Sequence, residues 1–270
     1  MTGFLVVNHF LRGKKFDTLH THLINSAKNQ KIELVKKTNQ EMIFEKKKPD
    51  FVLFWDKDIN LAESIEKSGV PVFNSSKSIA LCDDKAKTFT ALKGIVKQPE
   101  TIPAPLSFFN SDYSEFVNLA VQRLGLPVVY KECFGSFGEQ VHLCSSITDV
   151  MSHISDKPFL LQEYIETNGT DIRIEVADGE CVCAMKRHNE NDFRSNITNG
   201  GTATPYEPNE NEKAIAVKAC TALGLTFGGV DIIGGDMVCE VNSNAHIINI
   251  MEATGIDTAE KIFKVIQSKI

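Results

Sequence analysis

The sequence predicts an α/β unit followed by α+β units, and three observations carry that prediction. Over the first 80 residues, short apolar runs alternate with helical periodicity, the mark of a parallel sheet covered on both faces. Between Pro127 and Cys144, two strand patterns flank a glycine loop in "VVYKECFGSFGEQVHLC". From 170 to 188 and from 225 to 242, alternating residues around short glycine-containing turns read as antiparallel hairpins.

Taken in order, "FLVV" (4 to 7) is a first strand, followed by an amphipathic helix from about Phe16 to Asn29. "IELVK" (32 to 36), "FVLFW" (51 to 55) and "VPVFN" (70 to 74) are further strands, with a helix near Ile59 to Ser68. Residues 76 to 95 read as one helical connection. Three prolines in "KQPETIPAPLSFF" then exclude regular helix and mark a linker or sheet edge. A helix from Tyr113 to Leu124 precedes the glycine-loop strands, and a short helix spans 148 to 155. "PFLLQEYIE" (158 to 166) is an apolar strand that turns polar at its end. In the hairpin 170 to 188, Asp178-Gly179 is the turn. The polar, glycine-rich stretch 189 to 207 is expected to be loop. Asn209 caps a helix that runs to Leu223, with Glu212 at the capping-box position and Gly224 as its stop. A helix of roughly 257 to 268 ends the chain.

With 270 residues, 42% hydrophobic and 24% charged, the chain can bury a real core. The start, "MTGFLVVNHFLRGKK", lacks a signal-peptide h-region, and no stretch approaches the ~18 apolar residues of a membrane span. A cytoplasmic location and no membrane partner are therefore expected. Seven cysteines, scattered and mostly within apolar runs, read as buried free thiols. Cys181 and Cys183 are expected to share one strand face, without a second pair at zinc spacing. A net charge of −6 argues against a nucleic-acid binder. Residues 1 to 50 nonetheless carry +5, leaving −11 for the remainder. The run Lys46 to Lys48 reads as a solvated helix end, with a docking patch for an acidic partner as the alternative.

Lys131 lies inside an apolar strand pattern beside Gly135, Ser136 and Gly138. An ammonium can neutralise phosphate charge, and glycines let backbone N–H groups approach phosphate oxygens. This is not a Walker loop, because the lysine precedes the glycines and a strand follows. A hairpin lying over a nucleotide's phosphates fits better. A plain hairpin with a surface lysine is the alternative. In "GGVDIIGGDMVCEVNSN" (228 to 244), a two-residue Gly235-Asp236 turn would set Asp231 opposite Glu240, with Asn242 on the same face. Three hard oxygen donors in an apolar hairpin suit Mg²⁺, unless they are salt bridges on a solvent-facing sheet. Arg173 and Glu175 share a strand face, while Lys186, Arg187 and Arg194 follow nearby. Clustered guanidinium groups suit a phosphoryl group and a carboxylate.

In order and spacing, "DDK" (83 to 85), "VVYKECFGSFGEQV", "LLQEYIETNGTDIRIEV", "MKRHNENDFRSNITNGG" and "GGVDIIGGDMVCEVNSN" resemble the ATP-grasp ligases of the RimK type. The resemblance covers roughly residues 74 to 255. It implies a Rossmann-like (pre-ATP-grasp) domain at 1 to 80, a central ATP-grasp subdomain at 81 to 166, and a C-terminal subdomain with the metal site at 167 to 270. It also implies a reaction in which ATP phosphorylates a carboxylate and an amine attacks the acyl phosphate, with Mg²⁺ (or Mn²⁺) as the ion.

Carried over by resemblance, Lys85 and Lys131 face phosphates. Gln162, Glu163, Tyr164 and Ile165 form the adenine hinge. Asp171, Arg194, Ser195 and Asn196 belong to the nucleotide site. Arg173, Arg187 and Asn196 are expected near the acceptor carboxylate and the γ-phosphate, with Lys131, Arg187 and Arg194 as catalytic cations. Asp231, Glu240 and Asn242 match the metal ligands. The expected partners are an amino acid such as L-glutamate and a carboxylate-bearing peptide or small-molecule acceptor, with a dimer or tetramer as the assembly. After "EVN" the chain departs from its relatives, reading "SNAHIINIMEATGID". No general base is evident; His188 and His246 are near the site in sequence but are not assigned. The loop 134 to 139 is expected to be mobile without nucleotide. A ligase for a small metabolite, or a nucleotide-binding protein without catalysis, are the rival readings.

Overall fold

The computed structural model describes residues 1–270 except 108, 110 and 137. Residue 108 falls in the proline-containing segment and residue 137 in the loop expected to be mobile; both lie outside the described residues. Strands β1 (Thr2–Val7), β2 (Glu33–Thr38), β3 (Phe51–Trp55) and β4 (Val72–Phe73) form a parallel sheet in the order β2-β1-β3-β4. Helix α1 (Lys14–Asn29) links the first two strands, α2 (Asn39–Met42) follows the second, and α3 (Ile59–Lys67) follows the third. The single helix expected at 76 to 95 is two, α4 (Ser76–Asp83) and α5 (Lys85–Leu92). Asp84 causes the break: its carboxylate accepts from the N–H groups of Ala86 and Lys87, capping a new helix instead of continuing the old one.

A second, antiparallel sheet runs β5-β8-β6-β7, built from β5 (Thr101–Pro103), β6 (Val128–Glu132), β7 (Val141–Cys144) and β8 (Phe159–Glu163). The proline-containing β5 takes its edge, where a missing N–H is tolerated. Helices α6 (Ser114–Leu124) and α7 (Ile147–His153) supply the core behind this sheet. The third sheet runs β11-β10-β9-β12-β13, from β9 (Thr170–Ala177), β10 (Glu180–His188), β11 (Thr202–Tyr206), β12 (Phe227–Ile233) and β13 (Met237–Asn242). The stretch 189 to 207 is thus not all loop. Its strand β11 is polar and contains Pro205, which suits an edge and hides the strand pattern. Helix α8 (Glu210–Ala222) has the expected Asn209–Glu212 capping box. Helices α9 (Ile247–Thr254) and α10 (Thr258–Lys269) follow.

The parallel sheet is covered on both faces, as its apolar strands require. Leu5 and Leu53 pack with Leu23 of α1 and with Ile262 and Phe263 of α10, while Val6 and Phe54 pack with Ala62 of α3 and Ile79 of α4. Buried Asn74 ties this unit to the third sheet, donating to the carbonyls of Phe227 (2.8 Å) and Ser243 (2.9 Å) and accepting from Thr226 N–H. The cysteines are free thiols, mostly buried. Cys181 and Cys183 do not share a face: a bulge between them sends Cys181 toward α8 and Cys183 toward α9. Residues 46 to 48 are solvated but follow a loop, not a helix end. Among the described residues, no helix is long and apolar enough to cross a membrane.

Candidate active site

Period-two alternation sorts the third sheet by face. Ile172, Ile174, Val176, Val230, Ile232, Val238 and Val241 pack toward α8. The alternate positions put Asp171, Arg173, Glu175, Arg187, Asp231 and Glu240 together on the opposite face. Register then pairs them across strands: Asp171 with Arg187, Arg173 with Asp231, and Asp231 with Glu240. The hairpin turn is three residues, Gly234 to Asp236, and not the two expected. An extra residue at Cys239 restores the register, so Asp231 and Glu240 still oppose each other.

This charged face and the second sheet enclose a cleft of about 870 Å³, part of it open to solvent. Such a volume suits a nucleotide-sized ligand. Lys131 enters from β6 and Lys85 from the first turn of α5, whose N–H donates to Cys133 O at 2.9 Å and so fixes α5 to the end of β6. Gly135, Ser136 and Gly138 line one side, and Gln162 to Ile165 another. Asp171, Arg187, Arg194, Ser195, Asn196, Asp231 and Glu240 complete the polar wall. Of the residues singled out from the sequence, Arg173 and Asn242 do not reach the cleft, and neither do His188 and His246. Arg173 instead sits behind Asp231, and His188 Nδ1 meets Thr170 Oγ1 at 3.0 Å.

The loop tip is clamped from across the cleft. Arg194 donates to Gly138 O at 2.7 Å and to Val141 O at 3.2 Å, and is itself held by Asp192. Gly138 has φ +74°, and a Cβ there would come within 3.0 Å of Asn196 Oδ1. Only glycine gives both the left-handed backbone and the close approach.

The electrostatics are lopsided. Lys131 is 8% exposed, and its ammonium has for partner, among the described residues, only Cys239 Sγ at 3.6 Å. Burial pushes the Lys85 ammonium down, Glu240 works against that, and neighbouring Lys131 adds to it. Neither ammonium makes a salt bridge among the described residues, and two such crowded cations are costly unless an anion joins them. Their arrangement fits phosphate. Asp231 is different: Arg173 grips it bidentately at 2.6 and 2.7 Å, and Arg187 reaches it at 2.9 Å. Burial alone would raise its carboxyl, but the two arginines hold it down at about 2. Glu240, opposite it and lining the cleft, is the carboxylate that faces Lys85. The oxygen donors Glu240 and Asp231 suit a hard divalent ion, with Asp231 sharing its remaining lone pairs with the arginines. Asn242 stands apart, its Nδ2 buried without a partner among the described residues.

Several lining residues were not anticipated: Val129, Val141, Phe193, Ile233 and Cys239. Val129 and Ile233 could have been found by period two from Lys131 and Asp231. They are apolar, and a search for charge passes over them. Phe193 meets the ring of Tyr164 edge-on, with centroids 6.3 Å apart.

The RimK-like ATP-grasp domain profile matches residues 82–266. A probable alpha-L-glutamate ligase of Legionella pneumophila is 34% identical over 217 residues, covering 76% of this chain and 70% of that protein. Human N-acetylaspartylglutamate synthase A is 31% identical over 217 residues, covering 75% of this chain but only 54% of the relative. Among solved structures, D-alanine–D-alanine ligase from Bacillus anthracis complexed with ATP superposes with a TM-score of 0.77 at 19% identity, over 99% of this chain and 96% of that one. That last likeness speaks for the fold alone. With the cleft and its paired cations and acids, the matched domain and relatives show that the chain belongs to the RimK-like ATP-grasp family of ADP-forming carboxylate–amine ligases.

Proposed function

We propose that the chain joins the amine of L-glutamate to a carboxylate of a peptide or protein acceptor, through an acyl phosphate formed with ATP. The observation that carries this reading is the ammonium pair of Lys85 and Lys131, without a salt bridge among the described residues, set with Glu240 and Asp231 around one cleft. Lys131 and Lys85 neutralise the polyphosphate. Gln162 to Ile165 hold the adenine edge, with Val129, Val141 and Ile233 as apolar contacts. Magnesium held by Glu240 and Asp231 would lower the charge on the phosphoryl group being transferred. Arg187, anchored by Asp171 at 2.7 Å, is pre-oriented toward that group at no further cost of ordering. The Arg194 clamp on Gly138 keeps the hairpin over the site and water out, which protects an acyl phosphate from hydrolysis.

Glutamate as the amine is supported by the names of two relatives, a glutamate ligase and an acetylaspartylglutamate synthase. The second relative also supports a narrower alternative, a small dicarboxylic acceptor in place of a peptide. The test incubates the protein with ATP, Mg²⁺, L-glutamate and separate pools of acidic peptides and small carboxylic acids. Products heavier by one glutamyl residue or its multiples, with matching ADP, are expected in the peptide pool. ADP release that needs no glutamate, or products with another amino acid only, would sink the assignment.

A further inference from the structure

Away from the cleft, β7 and α7 bring three different metal-binding donors together in "HLCSSITDVMSH" (142 to 153). Cys144 ends β7, and Asp149 and His153 lie one turn apart on α7. Cys144 Sγ, an Asp149 oxygen and a His153 ring nitrogen all fall within 4.8 Å of one another. Asp149 Oδ1 and His153 Nε2 are 3.6 Å apart, beyond a direct hydrogen bond and at the spacing of two ligands around one ion. The other Asp149 oxygen accepts from Ser145 N–H at 3.0 Å, which fixes the carboxylate. The ring of His142 lies flat on that of His153, with centroids 3.9 Å apart and planes 10° from parallel. Cys144 is fully buried, so its sulfur is presented to this cluster and not to solvent.

We propose that Cys144, Asp149 and His153 form a transition-metal site of the zinc class, covered by the His142 ring and separate from the nucleotide cleft. Mixed sulfur, nitrogen and oxygen donors suit Zn²⁺ and do not suit Mg²⁺. Binding exchanges the thiol proton for the ion and releases that proton to solvent. The bound ion ties the strand returning from the glycine loop to the helix behind it.

The test titrates the metal-stripped full chain with Co²⁺, read by its thiolate-to-metal charge-transfer absorption, and then displaces it with Zn²⁺. One ion per chain is expected, with the band abolished in Cys144→Ser. Affinity should fall at least about tenfold in both Asp149→Asn and His153→Gln. Cys239→Ser, which removes the thiol beside Glu240, should leave the band intact. The proposal is overturned if the wild type gives no thiolate band, if the band survives Cys144→Ser, or if it is lost with Cys239→Ser. Should Cys144→Ser fail to fold, unchanged affinity in the two α7 variants overturns it equally.

Discussion

Lys131→Met separates catalysis from stability with a single change. The ammonium is nine-tenths buried and meets only the Cys239 thiol at 3.6 Å, so in the free protein its charge is held at a cost. Methionine has nearly the same length and fills the same space without that cost, and the urea midpoint should stay level or rise. On the proposed reading, the position faces phosphate when ATP is bound. A unit charge about 4 Å from another, at an effective permittivity of about 20, contributes about 4 kcal/mol. Lost from the transition state, that amounts to roughly a thousandfold in kcat/KM for ATP. Coupled ADP release, measured over a range of ATP at saturating Mg²⁺, gives the rate, and urea unfolding gives the stability. A kcat/KM within about tenfold of wild type would refute the placement of phosphate at Lys131, since a charge worth so little is screened by water. A fall in stability of more than about 2 kcal/mol would refute the claim that the ammonium is uncompensated.

Glu240→Gln should abolish ATP turnover and raise the Mg²⁺ needed for half-maximal nucleotide binding, while far-UV circular dichroism stays unchanged. Asp231→Asn leaves the Arg173 and Arg187 guanidinium groups short of their shared carboxylate, and breaking such a buried set costs about 3–5 kcal/mol, readable as a lowered Tm. Because Asp231 is held down at about 2, its contribution is complete at neutral pH and is lost only as pH falls below the unfolded value near 4. Glu175 has the opposite sign: burial pushes it up to about 7, so stability falls as pH rises from the unfolded value toward 7 and is level above that. Glu175→Gln should therefore be more stable than wild type at pH 8, by about 3 kcal/mol, and equal to it at pH 4. Equal urea midpoints at both pH values would contradict that account. Asn209→Ala should cost about 1 kcal/mol by opening the cap of α8.

The sequence by itself determined what local chemistry can write. Alternation put Arg173 and Glu175 on one strand face, and the glycine turn of the last hairpin set Asp231 opposite Glu240, because the period of a strand is two whatever packs on it. Asn209, Glu212 and the Asp178-Gly179 turn were legible for the same reason, since each acts within four residues. The tertiary structure decided the rest. That α10, from the far end of the chain, covers the first sheet depends on which apolar faces find each other. The split at Asp84, the edge strand at 202 to 206 and the bulges at Cys239 and between Cys181 and Cys183 each depend on a neighbour supplying or withholding hydrogen bonds. Above all, one sequence pattern makes Asp231 and Glu240 equal candidates for an ion, yet packing gives Asp231 two arginines and turns Glu240 toward the open cleft and Lys85. Charge is written in the residue, but its partner is a matter of distance, and distance exists only once the chain has folded.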